Sequence, residues 1–158
     1  MSRSLARRHA FNLIYQIPFH VDINESVFAN LRSFYYQLIE DDLSEYDLGD
    51  LKLLESKYMD YANDVSWGVF ERLSSIDEAI NMFSGTWSTT RMSRIDLAIL
   101  RLAVYEMLRV KDVPTRVAIN EAVELAKKYG DDESSSFING ILGGVSKKMT
   151  EYNFDAQT

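Results

Sequence analysis

The stretch from Arg94 to Arg109 restricts the fold more than any other. Leu, Ala, Met, Arg and Glu are good helix formers, and no Gly or Pro interrupts them. At helical spacing its apolar residues do not form one stripe. Ile95, Ile99 and Leu102 fall on one side, while Leu97, Val104 and Leu108 fall nearly opposite. A helix that is apolar on nearly all sides must be covered by neighbours on several sides. The segment is therefore expected to be a central helix with Ser93 as its N-cap. Its polar exceptions, Asp96, Arg101 and Glu106, then require partners, because an unpaired charge is costly to bury.

A chain of 158 residues suits one domain with a sizeable core, and only two prolines and seven glycines interrupt it. The expected class is all-α. Two helical groups, about residues 1–84 and 88–150, are too interdependent to be separate domains. They should make a single domain across 1–158. With no cysteine there is no disulfide, thiolate nucleophile or Cys metal site, which suits a reducing cytoplasm. His9 and His20 lack the spacing of a metal site. No apolar run is long enough to span a membrane. A secretory signal is disfavoured, because Asn12 and Gln16 interrupt the apolar part after the basic start. Composition alone leaves a transit peptide open.

The formal net charge of −7 argues against a protein that coats nucleic acid broadly. A local basic site remains open, because Arg3, Arg7 and Arg8 open the chain with no acid among them. Arg3 and Arg7 share a helix face. Such a cluster is either a solvated helix end or an anion-binding arm.

In order, a first helix should run to about Ile17, with Pro18 ending it. A second is expected over about 25–40 with Asn24 as cap, and a third over about 50–73. A loop at 41–49 should separate them. Gly68 in the third suggests close packing or a bend. A shorter helix over 75–83, capped by Ser75, should end at Ser84-Gly85-Thr86. Trp87 then reads as a core plug. Thr115 to Tyr129 forms the next helix, with Glu124 and Lys128 as an i,i+4 pair and Gly130 as a C-terminal stop. The last helix, about 134–149, carries Phe137, Ile138, Ile141, Leu142 and Val145 on one face. Gly140, Gly143 and Gly144 need a reason there, since glycine in a helix costs about 1 kcal/mol against alanine. Tight packing is the favoured one.

Catalytic signatures are missing. There is no phosphate loop, nucleophile elbow or helical metal motif. Asp131, Asp132 and Glu133 suit a solvated cap better than an acid–base pair. No enzyme, cofactor or metal is expected, and Glu106 reads as half of a structural ion pair.

Taken together, the segments from Arg91 to Glu106, Val113 to Gly130 and Phe137 to Leu142 resemble the NusB family of bacterial transcription antitermination factors. Arg7-Arg8-x-Ala10 and Leu13-Ile-Tyr-Gln16 are similar to that family's opening helix. The resemblance implies an all-helical fold of two small bundles sharing one core, and a role in RNA recognition. Its members bind the boxA sequence of nascent, chiefly ribosomal, RNA with the ribosomal protein NusE, and act on the RNA polymerase elongation complex. Carried over by position, Arg3, Arg7 and Arg8 fall in the arginine-rich arm, and Tyr15 is an aromatic at its end. Tyr129, Glu133 and Phe137 border the RNA surface, and Asp96 lies near it. Arginine contacts to phosphate and stacking on aromatics are how single-stranded RNA is held.

Several positions depart from the family pattern. Ser4 and Leu5 stand where many members carry arginine, Arg8 where an acid is frequent, and Gly143 where an acid usually stands. The thin arm and acidic balance favour an alternative, a helical protein-interaction adaptor or homodimer with weak or no RNA binding. A third possibility is the RNA-binding accessory domain of an RNA cytosine methyltransferase, although the chain lacks a catalytic domain.

Overall fold

The computed structural model describes residues 2–17, 24–43 and 48–151, and every regular element among them is helical. Seven helices follow in order: α1 Ser2–Tyr15, α2 Glu25–Leu43, α3 Leu48–Glu71, α4 Leu73–Asn81, α5 Arg94–Arg109, α6 Thr115–Tyr129 and α7 Ser134–Glu151. Pro18 and His20 lie outside the described residues. So do the side chains of Phe34, Tyr35, Leu38, Leu54 and Tyr58.

α5 is the axis. Every residue from Asp96 to Val104 is buried, and α1, α3, α4, α6 and α7 all pack on it. The two helical groups thereby share one core, with Phe11 and Ile14 from α1, Val65 and Val69 from α3, and Ile138 and Leu142 from α7 meeting the α5 residues. Ser93 caps α5 as expected, its hydroxyl accepting from the Asp96 amide at 3.1 Å. Two of the three buried polar residues of α5 have carboxylate or guanidinium partners. Arg101 makes a two-pronged contact with Asp77 of α4, at 2.9 and 2.8 Å. Glu106 receives Arg7 of α1. The third, Asp96, keeps one carboxylate oxygen buried and without a hydrogen bond.

The expected boundaries of α5 and α6 hold, and others move. α2 continues to Leu43 and α3 begins at Leu48, so most of the expected 41–49 loop is helical. α4 begins at Leu73, and Ser75 is not its cap; its hydroxyl donates instead to the Arg72 carbonyl at 3.1 Å. Asn24 does cap α2, accepting from the Val27 amide at 2.9 Å. Gly85 turns the chain after α4 at φ +61, a backbone conformation that glycine adopts without strain. Gly130 ends α6 in an extended conformation, φ −87 and ψ −174, not the left-handed one. Its requirement is space, because a Cβ there would lie 2.5 Å from Ser134. Among the described residues, no helix is long and apolar enough to cross a membrane.

Trp87 does not plug the core. It is 55 % exposed, in the connection between α4 and α5. Ile76, Ala79 and Ile80 already fill the buried side of α4.

The glycines of α7 divide. A Cβ on Gly144 would meet the Phe83 ring at 2.5 Å, whereas Gly140 and Gly143 face open space. Tight packing thus explains one of the three. Two neighbouring substitutions should act oppositely. Gly143→Ala should stabilise by about 0.5–1 kcal/mol by removing helix entropy cost, while Gly144→Ala should destabilise by about 1–3 kcal/mol through overpacking. Thermal melts of the two variants check the signs. Gly68 is a close-approach glycine of the same kind, facing the Tyr105 ring.

Candidate nucleic-acid interface

The three arginines of α1 point to different environments. Arg7 is 3 % exposed. Its Nε donates to both oxygens of Glu106, at 3.1 and 2.8 Å, and its Nη1 lies 3.7 Å from Glu121. The Tyr61 hydroxyl donates to the same Glu106 carboxylate. Burial pushes the Glu106 carboxyl above its ordinary value, against the opposing pull of Tyr61 and Arg7. Burial and the Glu106 charge push the Tyr61 phenol up as well. The structure therefore corrects the expected surface placement of Arg7. It joins α1, α3 and α5 inside the protein, and its guanidinium is engaged.

Arg3 lies one turn towards the N-terminus. It sits 4.2 Å from the centre of the Tyr61 ring and donates to Asp112 at 3.2 Å. It remains partly exposed. Arg8 is exposed, and its Nε donates to the Tyr129 hydroxyl at 3.3 Å.

Beyond Arg8, an aromatic strip crosses from α1 to α6. Phe11 stacks on Tyr129 with ring centres 5.2 Å apart, and lies 6.3 Å from Tyr15 at a tilt. Tyr15 is 37 % exposed. Arg94, in the first turn of α5, covers its ring at 4.7 Å and donates to its carbonyl at 2.9 Å. Lys128 lies 5.4 Å from the centre of the Tyr129 ring. Lys128 is not the partner of Glu124 that helical spacing suggests, since Glu124 pairs with Lys127 at 3.6 Å.

A cavity of about 230 Å³ opens beside this strip, between the first turn of α5 and the start of α7. Asp96, Glu133 and Phe137 line it, with Trp87, Arg91 and Asp131. The unsatisfied oxygen belongs to Asp96, which is 8 % exposed. A buried carboxylate oxygen without a partner is a strong acceptor for an N–H group that enters. Asp131 is used locally, because its Oδ1 accepts from the Glu133 amide at 2.9 Å and the Ser134 amide at 3.0 Å. These contacts cap α7 and hold Glu133 at the cavity rim. The Arg91 guanidinium lies 5.4 Å from the centre of the Trp87 ring.

Six of the eight expected residues gather at this joint. Arg8, Tyr15 and Tyr129 form the strip, and Asp96, Glu133 and Phe137 form the cavity. Short segments of chain connect the two parts: Arg94 to Asp96 in α5, and Tyr129 to Glu133 in the α6–α7 turn. Arg3 is separate. It precedes Tyr15 by twelve positions on α1, about 18 Å of helix at 1.5 Å per residue. The joint also includes Arg94, Lys128 and Trp87, which sequence reasoning did not select. Arg94 over Tyr15, seventy-nine positions away, leaves no mark in a single sequence.

The NusB family profile matches residues 4–147. A transcription antitermination protein NusB from Acetivibrio thermocellus is 45 % identical over 147 residues, covering 93 % of this chain and 90 % of the relative. The NusB of Syntrophotalea carbinolica is 42 % identical over 143 residues, covering 89 % and 92 %. The solved structure of T. maritima NusB aligns with a TM-score of 0.73 at 33 % identity, covering 92 % of this chain and 91 % of that one.

Proposed function

The chain belongs to the NusB family of transcription antitermination proteins, and on that premise we propose that it binds boxA-type nascent RNA together with the ribosomal protein NusE. In this reading it acts in the cytoplasm on the RNA polymerase elongation complex, by binding alone, with no bond made or broken.

The observation that carries the reading is the joint itself. Two partly exposed tyrosines with cations on their rings stand beside a cavity whose buried acceptor, Asp96 Oδ1, has no partner. Single-stranded RNA offers what each part lacks. Bases stack on aromatic rings, phosphates meet cations, and base edges carry N–H donors. The division of charge suggests where each goes. Asp96, Asp131 and Glu133 outnumber Arg91 in the cavity lining, so the RNA backbone is assigned to the strip side and N–H donors to the cavity. Arg3 adds a more distant contact along α1.

A second reading, a protein-interaction adaptor or homodimer, is favoured by the exposed Trp87 and Met82, 55 % and 58 %. Light scattering with and without RNA separates the two. RNA that dissociates a dimer supports a masked RNA face, and indifference to RNA supports the adaptor.

The primary test is fluorescence polarisation of labelled boxA RNA and a scrambled control, with and without NusE, at two salt concentrations. Tighter binding to boxA, strengthened by NusE and weakened by salt, is expected. Equal or absent binding in all conditions overturns the proposal.

A further inference from the structure

Burial of Arg7 removes one cation from an arm that already lacks arginine at Ser4 and Leu5. An RNA-binding face needs cations from elsewhere, and the structure supplies two at the ends of the aromatic strip. Arg94 covers Tyr15 and Lys128 lies at Tyr129, with Phe11 between the two rings. Among the described residues, neither cation has a carboxylate within salt-bridge distance. Their neighbours illustrate the contrast: Lys127 has Glu124 and Arg7 has Glu106.

We propose that Arg94 and Lys128 are phosphate-contacting residues that carry the backbone of a single-stranded RNA past Tyr15 and Tyr129, the two partly exposed rings on either side of the buried Phe11. The inference rests on the RNA reading above and deepens it by naming which chain groups hold which part of the ligand. The reasoning is electrostatic and geometric. A guanidinium or ammonium held by a ring keeps most of its charge and donors available, unlike one held by a carboxylate. A cation held beside a partly exposed ring places a phosphate contact within one nucleotide's reach of that ring. The strip also has two such ends, so two phosphates of one strand are held apart from the carboxylate-lined cavity. Arg94 serves a second purpose: its bond to the Tyr15 carbonyl at 2.9 Å fixes it at the C-terminal end of α1, where it also fits the helix dipole.

The test is the salt dependence of boxA RNA affinity in the presence of NusE, compared among wild type, Arg94→Ala, Lys128→Ala and the double variant. Each phosphate contact to single-stranded nucleic acid contributes roughly 0.7 to the slope of log K against log salt. Each single variant is expected to lower the slope by about that amount, and the double variant by about 1.4. Arg94→Lys and Lys128→Arg, which keep the charge, are expected to preserve it. Thermal melts show whether each variant remains folded, and a purely structural role would move the melt without moving the slope. Wild-type binding with unchanged slopes in folded alanine variants overturns the inference and leaves the RNA reading intact. Failure of the wild type to bind boxA RNA overturns both.

Discussion

Replacing Arg7 by methionine should destabilise the fold by about 3–5 kcal/mol, the cost of breaking a buried ion pair by removing one partner. At roughly 2–4 °C per kcal/mol for a chain of this size, the melting temperature should fall on the order of 10 °C. The cause is Glu106, which is 1 % exposed and would lose its guanidinium partner, keeping only the Tyr61 hydroxyl. Replacing the whole group at once, as Arg7→Met/Tyr61→Phe/Glu106→Leu, should recover much of the loss, because an apolar substitute leaves no charge or donor unsatisfied. A triple variant as unstable as Arg7→Met alone would contradict this view of the network.

The effect has a pH signature. Burial already raises the Glu106 carboxyl above its ordinary value in the native protein. A carboxyl with a raised folded pKa binds protons more readily folded than unfolded. Its contribution to stability is therefore full below the unfolded pKa and declines as pH rises through the folded one. Removing Arg7 raises the folded value further. The stability gap between wild type and Arg7→Met should be smaller in mildly acidic than in mildly alkaline buffer, as denaturant melts at the two pH values would report. For the same reason an Arg7 variant is a poor probe of RNA contact, since weaker binding would reflect a disturbed α1. Arg8→Ala and Arg3→Ala are the cleaner probes of the arm.

The second large effect is on binding. Tyr15→Ala should weaken boxA RNA binding by about 1–3 kcal/mol, roughly 5- to 150-fold, through loss of one stacking platform. Tyr15→Phe should retain most of the affinity, because the ring and not the hydroxyl does the stacking. The exposed ring contributes little to the core, so both variants should melt near the wild type. Fluorescence-polarisation titrations at fixed salt check the pair. Equal affinity of Tyr15→Ala and wild type would remove the strip from the RNA path.

The helical architecture was legible where local chemistry marks it. Ser93, Pro114 and Gly130 bracket α5 and α6, and the all-round apolar pattern of α5 announced its central place. The demand for partners at Arg101 and Glu106 was also legible, though their identities were not. Arg3 and Arg7 share a helix face, and only the arrival of Glu106, ninety-nine positions away, decides which one is buried. Trp87 illustrates the reverse error. Tryptophan usually fills a core, but here the facing helices had already closed theirs. The same limit applies to Gly143 and Gly144, neighbours whose surroundings differ by the presence of Phe83. At the candidate interface, Tyr15, Asp96, Tyr129, Glu133 and Phe137 were reached through the family resemblance and not through any local pattern, while Arg94 over Tyr15 depends on contacts across the fold.

The central claim is that RNA meets the joint of α1, α5 and the α6–α7 turn. Amide NMR of the isotope-labelled protein, titrated with boxA RNA in the presence of NusE and compared with NusE alone, tests it most directly. RNA-dependent perturbations should cluster at Arg8, Tyr15, Arg94, Lys128, Tyr129 and Phe137, and should be absent around a second groove, between α2 and α3, where the Phe28 and Trp67 rings lie 5.3 Å apart. Perturbations centred on that groove, with the joint unchanged, would contradict the claim.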